Sequence, residues 1–232
     1  MVVFLNLLLG QHLSAAEFDF SKSVMPAWEQ MILNRVNLLS QDSSICVDGI
    51  IDTTLNDIPV YLLTQGENIT IQVYQHNFKP ILYCKTDKQG NIIEQVEYTP
   101  LQARIFIPAG QIDKTIAIKP DTYDKASLFY LFRALPFSQP GEKIHFSFIV
   151  ITEKYTVRLV EMYVRVVDRQ EVQTPAGPFP CYKVELGVAG LIGKLFVPQK
   201  WYYYFREQPP HIFLKYEEPN REIIELVKFR CH

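Results

Sequence analysis

Histidine, cysteine and basic clusters are all scarce in this chain. Its 232 residues include five His and four Cys, with 23 Lys and Arg against 25 Asp and Glu for a net charge of −2. A nucleic-acid partner would call for a basic stripe, and none is present, so nucleic-acid binding is not expected. No two of Cys46, Cys84, Cys181 and Cys231 stand at a C-x-x-C spacing, which argues against a zinc site or a thioredoxin-type redox pair. There is no G-x-S-x-G elbow and no H-E-x-x-H helix. Outside the first sixteen residues and the terminal His232, only His76, His145 and His211 occur, each alone in a strand-like run. No catalytic residue, metal ligand set or cofactor is therefore expected.

Disorder is also excluded, because 48% of the residues are hydrophobic and 21% charged. Residues 1–16 carry no charge, are mostly apolar over 2–10 and end in the small residues Ser14, Ala15 and Ala16. They read as a signal peptide, too short to span a bilayer, which takes about 20 apolar residues. No Lys or Arg precedes the apolar run, which keeps a buried N-terminal strand as the alternative. Residues 17–232 are expected to form one domain. In an oxidising compartment the cysteines could pair in any of three connectivities, and four buried free thiols are the other reading.

Most of the chain alternates as strands do. Runs at 45–51, 60–64, 68–75, 80–85, 92–98, 103–107 and 114–118 are separated by turn signals such as Asn56-Asp57, Gln65-Gly66 and Gly90-Asn91, at a meander's spacing. Two segments read as helices. Residues 26–39 follow Pro26 with Trp28, Met31, Ile32, Val36 and Leu39 at helical spacing. Residues 121–135 place Leu128, Leu131, Phe132 and Leu135 on one face, with Asp121 or Asp124 as cap and Pro136 as stop. Strands resume at 143–151, 155–169, 181–188, 200–206, 211–217 and 222–229. Within 155–169 the apolar positions switch parity near Leu159, which predicts a bulge, or a strand long enough to pass from one environment to another, both features of strongly curved sheets. The Pro/Gly corner at 174–180 should turn tightly, Pro175 presetting φ and Gly177 supplying a positive φ.

Several groups invite chemistry. His76, Cys84 and Asp87 are near in sequence, yet a nucleophilic thiol needs its base in contact, and structural roles are the simpler reading. Gly187, Gly190, Gly193 and Lys194 resemble a phosphate loop only at a glance, since the spacing is wrong and Leu195 stands where a hydroxyl is needed. Glu217, Glu218, Glu222 and Glu225 read as solvated charges that discourage edge pairing rather than as an acid–base pair. Asn68-Ile69-Thr70 is a sequon. The run 201–206 (WYYYFR) places Trp201, Tyr203 and Phe205 on one strand face and Tyr202 and Tyr204 on the other. Aromatics on both faces imply contact on both, against the plainer reading that Tyr suits a sheet.

Over residues 123–227 the chain resembles a bacterial exported family known as domain of unknown function 3108. The matching features run in order from LFYLFRAL at 128–135, Pro136 and Gly141-Glu142, through the strand ending at Asp168 to Val172. They continue with TPAG at 174–177, Phe179, Lys183-Val184-Glu185, the aromatic 201–205 and Arg221 to Leu226. The resemblance implies a mainly β fold. It would be a curved antiparallel sheet, an open half-barrel similar to lipoprotein carriers, with one or two helices packed on it. It brings no catalytic residues.

The expected protein is exported, to the periplasm or beyond, and non-catalytic. It would hold a lipid or lipoprotein acyl chain or assist envelope assembly. Trp201, Tyr203, Phe205, Phe132 and Leu128 are the candidate ligand-binding residues, and Pro175 and Gly177 the structural turn. An envelope interaction module and a hydrolase with an unrecognised site are the alternatives.

Overall fold

Alternation of apolar and polar residues continues through nearly the whole chain, and the backbone follows it. The computed structural model describes residues 17–21, 25–190, 200–219 and 221–232; the expected signal peptide and residues 191–194 of the glycine-rich 187–194 stretch lie outside them. The strands are β1 (Trp28–Asn37), β2 (Ser43–Leu55), β3 (Ile58–Gln65), β4 (Ile69–Tyr74), β5 (Pro80–Thr86), β6 (Ile92–Tyr98), β7 (Gln102–Ile107) and β8 (Ile112–Ala117). They continue as β9 (Thr122–Tyr123), β10 (Ile144–Ile151), β11 (Val157–Thr174), β12 (Gly177–Val188), β13 (Trp201–Arg206), β14 (Phe213–Glu218) and β15 (Glu222–Cys231). All belong to one open, curved sheet in the order β8 to β1, then β15 down to β9. Neighbours pair antiparallel except β9 and β10.

Terminal strands β1 and β15 pair at the centre, and two meander arms extend from them. Each arm carries a cross-strand ladder of inward side chains. On the first, Glu29, Ile50, Leu63, Ile71, Tyr83, Val96 and Ile105 stand opposite one another in turn, and all are buried. On the second, Ile224, Tyr216, Tyr203, Val184 and Val166 stand opposite one another in turn, all buried except the half-buried Tyr216. Each such row removes apolar surface from water, at roughly 25 cal/mol per Å². The arms also touch: the Tyr155 ring, in the β10–β11 turn, lies so close to Gly110 beyond β7 that a Cβ there would stand 2.8 Å from it.

Five local expectations are corrected. Residues 26–39 are not a helix but contain β1, whose inward Glu29, Met31 and Leu33 are fully buried. Its outward Ile32 and Val36 are also half-covered because β1 is a central strand, and the two apolar faces together imitate helical spacing. The second helix is shorter than 121–135. Thr122 and Tyr123 form β9, Asp124 caps a 3₁₀ turn over Lys125–Ser127, and α1 (Leu128–Leu131) runs into a second 3₁₀ turn at Phe132–Ala134. It is buried on all sides rather than amphipathic, with residues 126–135 in the interior. The bulge in β11 falls between Val166 and Asp168 rather than near Leu159.

The corner is tighter than expected, with Thr174 and Gly177 already paired across Pro175 and Ala176. The Ala176 amide donates to the Leu226 carbonyl at 3.1 Å, so this hairpin tip folds across to β15. Finally, the glutamates of 217–225 lie in the middle of the sheet, not on an edge. Lys215 bridges Glu217 and Glu225, and Arg35 faces Glu222 at 3.5 Å. All four cysteines are free thiols, and only Cys181 is buried.

Candidate functional site

The concave face is partly filled by the chain itself. Asp124 Oδ1 accepts the Ala126 amide at 2.8 Å and starts the helical segment, while its Oδ2 accepts the Tyr98 hydroxyl at 2.7 Å, tying the segment to β6. Gln65 Nε2 donates to the Ala126 carbonyl at 2.8 Å from β3. Phe132 packs edge-on against Tyr203 at 5.1 Å and Phe205 at 6.4 Å, and Phe129 stacks on Phe213 at 4.0 Å. Aromatic pairs of this kind add about 0.5–1.5 kcal/mol beyond burial.

At the bottom of the plug Arg133 forms a two-pronged ion pair with Glu29, Nη1 to Oε2 at 2.7 Å and Nη2 to Oε1 at 2.5 Å. Neither side chain is exposed. Burial opposes the Arg133 charge, but the Glu29 carboxylate overrides it and raises the guanidinium pKa. Sequence reasoning missed this pair. The available signal was an arginine inside the apolar run LFYLFRAL, which has no solvated face to serve.

Above the plug a cavity of about 520 Å³ opens on the concave face. Its apolar wall is Leu128, Phe129, Phe148, Met162, Leu186, Trp201, Tyr203 and Ile224. Arg35, Lys85, Lys125, Glu94, Glu218 and Glu222 also line it. Burial raises the pKa of Glu94 and of Glu222, the latter helped by Glu218 and opposed by Arg35. Of the five expected ligand-binding residues, Leu128, Trp201 and Tyr203 line this space. Phe132 and Phe205 instead form the packed floor. Phe148, Met162 and Ile224 were not foreseen, because each comes from a strand distant in sequence and has no local signature.

The outer aromatics have a different cover. Lys183 Nζ lies 4.3 Å over the Tyr202 ring and 5.7 Å from that of Tyr204, whose hydroxyl donates to Glu217 Oε2 at 2.7 Å. Glu185, almost fully buried nearby, accepts from Tyr163, Arg165 and Lys200. Charged stems therefore tile this face.

His76, Cys84 and Asp87 are not brought together as a site. His76 lies beside Tyr74, and Asp87 closes the β5–β6 turn by accepting the Gln89 and Asn91 amides. Burial raises the Cys84 pKa, the reverse of an activated thiolate. Gly187 is a strand residue against the Tyr163 ring, where a Cβ would stand 2.6 Å from ring atoms. Among the described residues no group of three potential metal ligands occurs. No described helix is long and apolar enough to cross a membrane.

The family model for a protein of unknown function (DUF3108) matches residues 50–229. No curated protein matches the chain. Among solved structures it is similar to a β-barrel-like protein of the domain of unknown function DUF1849 from Brucella abortus, at 9% identity and TM-score 0.51, covering 90% of this chain and 99% of that one. It is also similar to the hypothetical lipoprotein YmcC from Escherichia coli (K12), at 8% identity and TM-score 0.39, with 89% and 88% covered. At such identities the Brucella likeness bears on the fold alone.

Proposed function

The chain belongs to the DUF3108 family of proteins of unknown function, and from that premise we propose that it is an exported, non-catalytic carrier of an acyl chain. The observation that carries this reading is the concave cavity of about 520 Å³ with its apolar wall and mixed-charge polar groups. Such a volume falls in the usual range for small-ligand sites, roughly 300–1,000 Å³. An acyl chain would lie along Trp201, Leu186 and Leu128, with its polar head near Arg35, Lys85 and Lys125. Each methylene withdrawn from water contributes about 0.8 kcal/mol, so a short buried length suffices. Export rests on the uncharged apolar leader at residues 1–16 and on the family resemblance. Native mass spectrometry of protein purified from its own host tests the proposal. Lipid-sized mass increments are expected, and consistently empty protein refutes it.

A second reading, docking of another envelope protein, is favoured by one feature. On β2, Ile45, Val47 and Ile51 are exposed at 63%, 40% and 42%. Crosslinking from position 45 that recovers a single partner, lost in Ile45→Lys, would favour it.

A further inference from the structure

We propose a second binding site, at the seam where the two arms of the sheet meet, that takes a small organic anion: a carboxylate carried on an apolar body. The site is a cavity of about 450 Å³ formed by the β4–β5 turn, the β6–β7 turn and the segment joining β8 to β9. It shares no lining residue with the concave cavity and does not depend on the carrier reading.

Its chemistry is one-sided. Pro80, Pro100, Pro120, Ile118, Tyr74 and Tyr98 supply the walls, and the three prolines bring no backbone N–H. The ionisable groups, apart from the two tyrosines, are Lys79, Lys119 and His76, with no Asp or Glu in the lining. Lys119 is already committed to Glu161.

Lys79 is different. Its Nζ sits 3.5 Å over the Tyr123 ring, half-buried, and among the described residues no carboxylate stands within ion-pair distance. Burial lowers its pKa to about 8, although Asp121 acts from further away to raise it. A ring face compensates a half-buried ammonium only in part. An anion in the adjoining cavity would complete the neutralisation and accept a charge-assisted hydrogen bond. Prolines and tyrosines would hold its apolar body by contact.

The probes are 2-naphthoate and the neutral 2-naphthamide, titrated calorimetrically into the full chain and followed by amide spectra. The expected result is binding of 2-naphthoate with shifts at Tyr74, Lys79, Tyr98 and Thr122, and affinity for the amide lower by at least about tenfold, as loss of one charged hydrogen bond predicts. Lys79→Met should abolish that preference while Lys79→Arg keeps it, thermal unfolding confirming that both variants are folded. Equal binding of the two probes, no binding of 2-naphthoate, shifts confined to the concave cavity, or an unchanged preference in folded Lys79→Met would each overturn the proposal.

Discussion

Arg133 and Glu29, 104 positions apart, share two hydrogen bonds in the interior and join the helical plug to the central strand β1. Removing one partner strands a buried charge. Arg133→Met is expected to cost about 3–5 kcal/mol in denaturant unfolding, and Glu29→Leu about the same. The double variant should recover most of the loss, since an apolar pair of similar volume pays no desolvation. Additive losses in the double variant would mean that the pair is not coupled.

Asp48 sits on β2 with no exposed surface. Its Oδ1 accepts the Gly66 amide at 3.1 Å, and among the described residues its Oδ2 has no partner. Burial raises its pKa from 3.8 to about 6. The folded state therefore holds a proton that the unfolded state releases between about pH 4 and 6. Stability from this group is complete below the unfolded value and is lost as pH rises through the folded one, by at most about 3 kcal/mol. Asp48→Asn should not show that loss. Unfolding free energies of both proteins at pH 4, 5, 6 and 7 isolate it, because other shifted groups cancel in the difference. A difference that stays constant with pH contradicts the assignment.

The sheet was legible because alternation is a local property: seven of the strands from β2 to β8 could be read from their own residues. Strand β1 could not. It lies between β2 and β15, so Ile32 and Val36 are apolar on the face opposite Met31 and Leu33, and the mixed period mimics a helix. Misreading Glu29 as a helix residue hid its partner Arg133. Trp201, Tyr203 and Leu128 could be nominated from composition alone. Their common cavity needed the long-range pairing of β12, β13 and β14, which no local pattern encodes.

Gly177 has φ near +121°, a conformation that side chains avoid, and a Cβ there would meet nothing within 4 Å. Gly177→Ala should therefore cost about 1–2 kcal/mol through the backbone alone. Thr174 supports the turn, its hydroxyl donating to the Gly177 carbonyl at 3.1 Å and accepting from Ala176 at 3.2 Å. Unaltered unfolding of Gly177→Ala in urea would show that the turn tolerates another geometry.

Tyr98 and Asp124 fasten the first arm to the plug. Tyr98→Phe leaves the buried Asp124 Oδ2 without its hydroxyl donor, at an expected cost of about 1–3 kcal/mol. Hydrogen exchange should rise in β5 to β8 more than in β11 to β15. A uniform rise across both arms would show that this contact is not what holds the first arm.

Trp201 can report on the carrier reading directly. The chain has two tryptophans, and Trp28 stacks on His232 at 5.2 Å, outside the concave cavity that Trp201 lines. In Trp28→Phe protein, a fatty acid brominated along its chain should quench Trp201 fluorescence, because bromine quenches indole at contact range. Each two methylenes removed from a chain seated in the cavity should weaken binding by about tenfold, following roughly 0.8 kcal/mol per methylene. Ile224→Phe places extra volume in the same space and should lower affinity without moving the emission of the empty protein to longer wavelength. Quenching that ignores both chain length and Ile224→Phe would locate the fatty acid elsewhere and remove the main support for the carrier.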